Sequence, residues 1–134
     1  MILDADLILS DAQAETTVAA HASTNVVDFG AAKVGHNNKV IVTVNTAVTS
    51  DGSGTVLFTV ETDDNADFTS ATALYATAAI AKATLVAGYR VMEFTLPYTV
   101  ERYVRVTYTI GTAALTAGKF NAYIDNAIQT NNIG

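Results

Sequence analysis

The sequence predicts an all-β protein with one domain, folded as an antiparallel jelly roll or closely related β-sandwich of about eight strands. Three observations predict this fold class. The 134-residue chain contains 20 threonines and 15 valines, whose branched Cβ atoms favour strands over helices. Apolar and polar residues alternate in several short segments, and turn-forming residues separate these segments. The length favours a single domain spanning residues 1–134.

The alternating segments can be placed in order along the chain. After a less regular LILSDAQ, in which Leu3 and Leu7 also suit a helical turn, come NVVDFG, residues 39–46, residues 55–62, TALYAT, residues 89–96, residues 100–111 and residues 119–126. Successive side chains of a strand point to opposite faces, so one face of each segment belongs to the core. We expect the core to include Val42, Val44, Phe58, Val60, Phe94, Val104, Val106 and Tyr108.

The connections between these segments carry turn signals. Asp51-Gly52 is a dipeptide typical of hairpin turns, and the only proline, Pro97, falls between two predicted strands, where its missing N–H costs no ladder hydrogen bond. Residues 70–88 are ambiguous, because their many alanines also suit a helix. Three threonines in this segment favour a strand followed by a loop.

The composition excludes several kinds of chemistry. The chain has no cysteine, so thiol catalysis, zinc–thiolate sites and disulfides are ruled out. His21 and His36 stand apart in polar surroundings, and no nucleophile-elbow pattern is present. The acidic segment 61–67 lacks the calcium-loop frame and its glycine, so a solvated loop with an Asn/Asp turn is favoured over a calcium site. We expect no enzymatic activity, no cofactor and no required metal.

The charge distribution bears on partners. The net charge is −6, and residues 1–30 hold five acids with no lysine or arginine. A basic stripe for nucleic acid is missing, and no apolar run approaches the ~20 residues of a membrane span. The N-terminus lacks the basic start of a secretory signal, so a soluble cytoplasmic product is expected. The acidic start is compatible with a basic or mixed protein partner.

Two regions are candidate interfaces. The outward face of residues 100–111 carries Tyr103 and Arg105 beside Arg102, and aromatic and arginine side chains are enriched where interfaces are most buried. The alternative is a solvated sheet face with cross-strand pairs, such as Arg105 with a carboxylate. Residues 1–15 are a possible N-terminal arm, with Leu3, Leu7 and Leu9 among its apolar anchors. The alternative is that these leucines pack on the protein's own sandwich.

Several segments together resemble the capsid cement, or decoration, proteins of tailed bacteriophages. The resemblance rests on MILDADLILSDAQ, STNVVDFG, VLFTVETDDNADFTSATALYAT, ERYVRVTYTIG and LTAGKFNAYI, in this order over nearly the whole chain. It implies a jelly-roll virion protein that is not an enzyme. Such a protein binds the outer surface of an icosahedral capsid and stabilises it by bridging subunits of the major capsid protein.

The resemblance also sets expectations for assembly. Because capsid lattices present two-fold and three-fold positions, we expect a homo-oligomer, either a dimer or a trimer. Two alternatives stay open, a carbohydrate-binding β-sandwich module and another virion subunit of the tail or fibre. The absence of tryptophan disfavours a sugar platform.

Overall fold

The computed structural model describes residues 7–29, 38–97 and 99–126. Within these ranges the chain forms strands and no α-helix, which confirms the all-β prediction. Residues 70–88 form two short strands and turns, so the strand-and-loop alternative is confirmed for this segment. The strands are β1 (Ile8–Ala14), β2 (Ala20–Ala22), β3 (Val27–Asp28), β4 (Asn38–Thr49), β5 (Thr55–Asp63), β6 (Thr72–Ala76), β7 (Ile80–Ala81), β8 (Arg90–Thr95), β9 (Tyr103–Gly111) and β10 (Ala117–Asn126).

The strands build two antiparallel sheets. The first sheet has the order β1-β10-β4-β8, and the second has the order β2-β9-β5-β6. Strand β3 pairs with β9 on the same side as β2, and β7 pairs with β5 on the same side as β6. When β2–β3 and β6–β7 are each counted as one interrupted strand, eight strands remain, four per sheet. The chain then changes sheet at every connection except the β5–β6 turn, which is the jelly-roll order.

Side-chain hydroxyls mark both interruptions. The Phe58 N–H donates to Thr77 Oγ1 at 3.1 Å, in the gap between β6 and β7. The Val106 N–H donates to Ser23 Oγ at 3.2 Å, in the gap between β2 and β3. Each hydroxyl satisfies a backbone donor of the central strand, so the sheet stays paired where the edge strand breaks. The structure therefore has ten strand segments where the sequence predicts about eight.

The core lies between the sheets. Strands β5 and β9 pair without a register shift from Thr55↔Gly111 to Asp63↔Tyr103, so their inward residues form two adjacent apolar rows. Phe58, Tyr108 and Phe120 make an aromatic cluster with ring centroids 5.1–5.7 Å apart. Since Phe120 comes from the first sheet, this cluster joins the two sheets. Full burial of one such side chain stabilises the fold by roughly 1.5–3 kcal/mol.

Seven of the eight predicted core residues are buried, with at most 2% of their surface exposed. Phe94 differs, because it is only partly buried. It lies on β8, an edge strand of the first sheet, which has a neighbouring strand on one side only. There it stacks on Tyr75 of β6, with ring centroids 5.1 Å apart, and this pair closes one edge of the sandwich.

Candidate interaction surfaces

Arg105 of β9 stands directly opposite Glu61 of β5 on the outer face of the second sheet. Its Nε donates to Glu61 Oε1 at 2.8 Å, and Thr107 Oγ1 donates to the same oxygen at 2.8 Å. The guanidinium also lies 4.2 Å above the ring of Phe68, within cation–π range. Both charged side chains are mostly buried, at 24% and 20% exposed. The predicted cross-strand pair is therefore present, and the charge of Arg105 is engaged within the protein.

Tyr103 is the first residue of the same strand, and Arg102 directly precedes it. Arg102 makes a bidentate ion pair with Asp28 of β3, at 2.8 Å and 3.1 Å. The hydrogen bond and the charge of Asp28 raise the pKa of Arg102 above its ordinary value. The same guanidinium lies 5.1 Å from the ring centroid of Tyr103. These contacts attach the short strand β3 to β9, so the predicted face exists but its charged groups already have partners.

The N-terminal leucines differ from one another. Leu9 is fully buried and belongs to the core, because β1 pairs with β10 and turns this side chain inward. This corrects the prediction that Leu9 serves a partner. Leu7 is half-buried and packs against the same core. Leu3 lies outside the described residues. Residues 8–14 of the predicted arm are thus a strand of the sandwich itself.

Strand β1 is irregular and borders a pocket. Its pairing with β10 shifts register twice, and Ala12 has a φ of +50° while its N–H donates to Asn121 Oδ1 at 2.7 Å. The pocket has a volume of about 210 Å³ and lies between the two strands, lined by Ile8, Ser10, Asp11, Asn121 and Tyr123. Bulges are common next to functional sites, but nothing in the periodicity of LILSDAQ revealed them.

A chain of hydrogen bonds leads from the core to the surface beside β1. The buried Tyr108 hydroxyl donates to Ser10 Oγ at 2.8 Å, and Ser10 donates to Gln13 Oε1 at 2.6 Å. Gln13 Nε2 then donates to Glu15 Oε1 at 2.6 Å. Glu15 in turn lies 3.4 Å from His21 Nδ1. The side chains of Ser10 and Gln13 are thereby hydrogen-bonded inside the fold. Burial raises the pKa of Tyr108 well above its ordinary value.

The acidic segment 61–67 comprises the end of β5, residues 61–63, and the turn that follows it. Asp63 is 3% exposed and accepts the N–H groups of Ser70 at 2.7 Å and Asn65 at 3.2 Å. Burial alone would raise the pKa of Asp63, but these hydrogen bonds, with that of Asp64 and the charge of Arg105, hold it below its ordinary value. This is the Asn/Asp-turn arrangement that the sequence predicts. Among residues 7–29, 38–97 and 99–126, no three carboxylate or histidine side chains cluster as metal ligands would.

A further surface has no counterpart in the sequence predictions. No carboxylate occurs between Asp67 and Glu93, although the chain as a whole is acidic. Residues 71–92 of this stretch form β6, β7, the connection to β8 and the start of β8, and we call them the carboxylate-free edge. This edge holds three of the five large apolar side chains that are exposed in the described part of the chain, namely Tyr75, Val86 and Tyr89. The run without acids was visible in the sequence and is the signal that was missed.

Comparisons with known proteins place the chain in a family. No curated protein matches it. No helix within the described ranges has the length and apolar character to cross a membrane. A protein-family model, Bbp16, matches residues 9–124, from the first strand of the sandwich to the last. The chain therefore belongs to the Bbp16 family.

Proposed function

We propose that this protein is a structural component of a tailed-phage virion. In this role it binds the outer surface of the icosahedral capsid and stabilises the shell by bridging subunits of the major capsid protein. The main support is the jelly-roll strand order of a chain whose segments, in sequence, resemble capsid cement proteins. Membership of the Bbp16 family, whose name indicates a phage-related protein, agrees with the broader part of the proposal.

The engaged polar groups favour a structural role over a catalytic one. Arg102 and Arg105 both have carboxylate partners, and Lys39 and Arg90 both contact Glu93. The Lys39–Glu93, Asp28–Arg102 and Glu61–Arg105 pairs join neighbouring segments of the sheets, whereas the Arg90–Glu93 pair lies within β8. A shell-bound protein benefits from such a rigid frame, because little conformational freedom is left to lose on docking. When many copies bind equivalent positions of one lattice, their weak individual contacts together give strong overall binding.

The test is decoration of purified capsids. Expanded capsids that lack the protein are mixed with increasing amounts of it and sedimented, and the bound fraction is measured by gel densitometry. We expect saturable binding with a fixed number of copies per capsid, and a higher temperature of capsid disruption in a melting scan. Binding that never saturates, or no binding at all, would contradict the proposal. Purified tails in a parallel sample test the alternative of a tail or fibre subunit.

One observation favours the second candidate, a carbohydrate-binding module. The pocket beside β1 combines the Tyr123 ring with the Asp11 carboxylate and the Asn121 amide, which are groups that can stack on and hydrogen-bond to a sugar. A glycan array distinguishes the two functions. Specific glycan binding that Tyr123→Ala abolishes, together with an absence of capsid binding, would establish the module instead.

A further inference from the structure

We propose that the pocket beside β1 binds the guanidinium group of an arginine side chain presented by a different protein, which in the virion is a subunit of the shell. The inference rests on the proposed function only for the identity of that protein. The chemistry of the pocket is tested on purified protein without capsids, so its failure can be told apart from a failure of capsid binding.

The irregular pairing of β1 with β10 forms the pocket. Ile8 and Tyr123 are direct partners across the two strands, and the exposed Asp11 lies within the second register shift. Ala12, the next residue, has a φ of +50°, a conformation that residues other than glycine rarely adopt. Because Asn121 Oδ1 accepts the Ala12 N–H at 2.7 Å, the neighbouring strand holds this bulge in place. The pocket is therefore built on paired strands and not on a free loop.

Asp11 contributes a negative charge that no base of the pocket balances. None of the ion pairs found among residues 7–29, 38–97 and 99–126 includes Asp11. The other four residues that line the pocket are uncharged. Lys119 is exposed on β10 two residues before Asn121, but it does not pair with Asp11 either. A pocket whose one charge is an unpaired carboxylate favours a cationic ligand.

The second sheet of the same protein shows which cation suits such a pair of groups. There the guanidinium of Arg102 pairs with Asp28 at 2.8 Å and 3.1 Å and lies 5.1 Å from the ring centroid of Tyr103. The pocket beside β1 also combines a carboxylate with a tyrosine ring, those of Asp11 and Tyr123. A planar guanidinium can donate two hydrogen bonds to a carboxylate and stack on an aromatic ring, whereas an ammonium group cannot. The groups of the pocket therefore favour arginine over lysine.

The volume of the pocket suits a single side chain. At about 210 Å³ it exceeds the ~150 Å³ of an engineered cavity that holds benzene, so a guanidinium with its adjoining methylene groups fits. Pockets for larger ligands usually begin at about 300 Å³, which leaves little room for an oligosaccharide. The Ser10 hydroxyl and Asn121 Oδ1 already have partners within the protein. The strongest free acceptor is thus the Asp11 carboxylate, which favours a cation over a neutral sugar.

The arginine has to come from a protein other than a second copy of this chain. The chain contains three arginines, Arg90, Arg102 and Arg105, and each of them pairs with a carboxylate of its own chain. A second copy would have to break one of these pairs in order to fill the pocket. A different protein with an unpaired arginine has no such cost, and its positive charge is complementary to this acidic chain.

The test titrates N-acetyl-L-arginine methylamide, a blocked arginine, into the purified protein and follows the backbone amide signals of β1 and β10 by nuclear magnetic resonance. We expect saturable shifts at Ala12 and Asn121 with a dissociation constant of roughly 1–10 mM, because one exposed charge and one ring each contribute little. The equally blocked lysine should bind about threefold more weakly or less. Methyl glucoside should leave these signals unchanged, and free arginine should bind no more tightly than the blocked form, since Asp11 repels its α-carboxylate.

Matched variants identify the groups that bind the blocked arginine. Asp11→Asn keeps the shape of the side chain but removes its charge, and should weaken binding about threefold or more. Tyr123→Leu removes the ring and should weaken binding similarly, whereas Tyr123→Phe keeps the ring and should bind like the wild type. Asp67→Asn is the control, because Asp67 is also an exposed carboxylate but lies in the turn after β5 and does not line the pocket. Circular dichroism melting shows whether each variant is folded.

The inference is overturned if the blocked arginine shifts no signals of β1 and β10, or if folded Asp11→Asn binds it like the Asp67→Asn control. Tighter binding of free arginine would overturn the assignment to a protein side chain, and tighter binding of methyl glucoside would assign the pocket to a sugar.

The capsid sedimentation assay tests the identity of the partner. We expect Asp11→Asn to reach half occupancy of the capsid at a higher protein concentration than Asp67→Asn, and equal occupancy curves would overturn the assignment to a shell subunit. If the wild type binds no capsids, the proposed function and the shell as partner fail together. The titration with blocked arginine then still decides whether the pocket binds a guanidinium.

Discussion

At the scale of one residue, a substitution of Val106 tests which face of β9 points into the core. It has no exposed surface and belongs to the same core cluster as Phe58, Tyr108 and Phe120. We expect Val106→Ala to lower the free energy of unfolding by about 1–3 kcal/mol, through lost burial and the cavity left behind. Urea denaturation measures this. Thr109→Ala, on the opposite face of the same strand, should cost much less, and equal costs for both would contradict the assignment of the faces.

The ionisation of Asp63 should make the stability of the fold depend on pH in the acid range. Its pKa in the folded state lies below the ordinary value of 3.8, because backbone N–H groups and Arg105 favour the charged carboxylate over the opposing effect of burial. A carboxylate with a lowered pKa stabilises the fold at pH values above 3.8. This stabilisation is lost as the pH falls through the lower, folded-state pKa.

Asp63→Asn should therefore lower the melting temperature by a constant amount from about pH 5 to pH 8. The difference between wild type and variant should shrink below pH 3.8, where the wild-type carboxyl group is protonated on unfolding. Thermal scans at a series of pH values check this. A difference that grows as the pH falls would show that the sign is wrong. Asp64→Asn, at an exposed position of the same turn, serves as the control.

At the scale of elements, β1 is the strand for which the structure differs most from the sequence prediction. Leu9 is fully buried while its neighbour Ile8 is half-buried and borders the pocket. We expect Leu9→Ala to cost about 2–5 kcal/mol of unfolding free energy. Ile8→Ala should cost clearly less. Equal and small losses in chemical denaturation would indicate that β1 is a detachable arm rather than a strand of the sandwich.

The alternation of apolar residues was sufficient to predict the central strands. Strands β5 and β9 have one face in the core and one facing out along their whole length, so period two is visible in the sequence. The periodicity of β1 is masked by its two register shifts, which change the facing of successive residues. The breaks at Ser23 and Thr77 depend on single hydroxyls that accept backbone N–H groups of distant strands. The hydrophobic pattern of the sequence does not indicate such hydrogen bonds between side chain and backbone.

The candidate surfaces were predictable to a smaller extent. The outward position of Arg105 followed from alternation, but its partner Glu61 lies 44 residues away in the chain. Their contact depends on the register of β5 against β9, which is set by the whole core. The stacking of Tyr75 on Phe94 likewise needs the jelly-roll topology, because the two residues belong to different sheets. Only the long run without acids could have indicated the carboxylate-free edge beforehand.

At the scale of the whole molecule, charge controls how copies of the protein approach one another. The chain carries −6 overall and has an isoelectric point near 4.5, while the carboxylate-free edge holds no acid. Repulsion between copies of the chain thus comes from the surfaces that carry the acids and not from this edge. Such repulsion acts across solvent and is screened by salt, whereas apolar packing between copies would be largely insensitive to it.

The self-association that the resemblance leads us to expect should consequently become tighter as salt is added. The screening length falls from about 30 Å at 0.01 M to about 8 Å at 0.15 M ionic strength, so most of the repulsion disappears over this range. We expect sedimentation at neutral pH to give a dissociation constant that decreases over this interval and then levels off. An interface held by ion pairs between copies would show the opposite trend, because salt would screen its attraction.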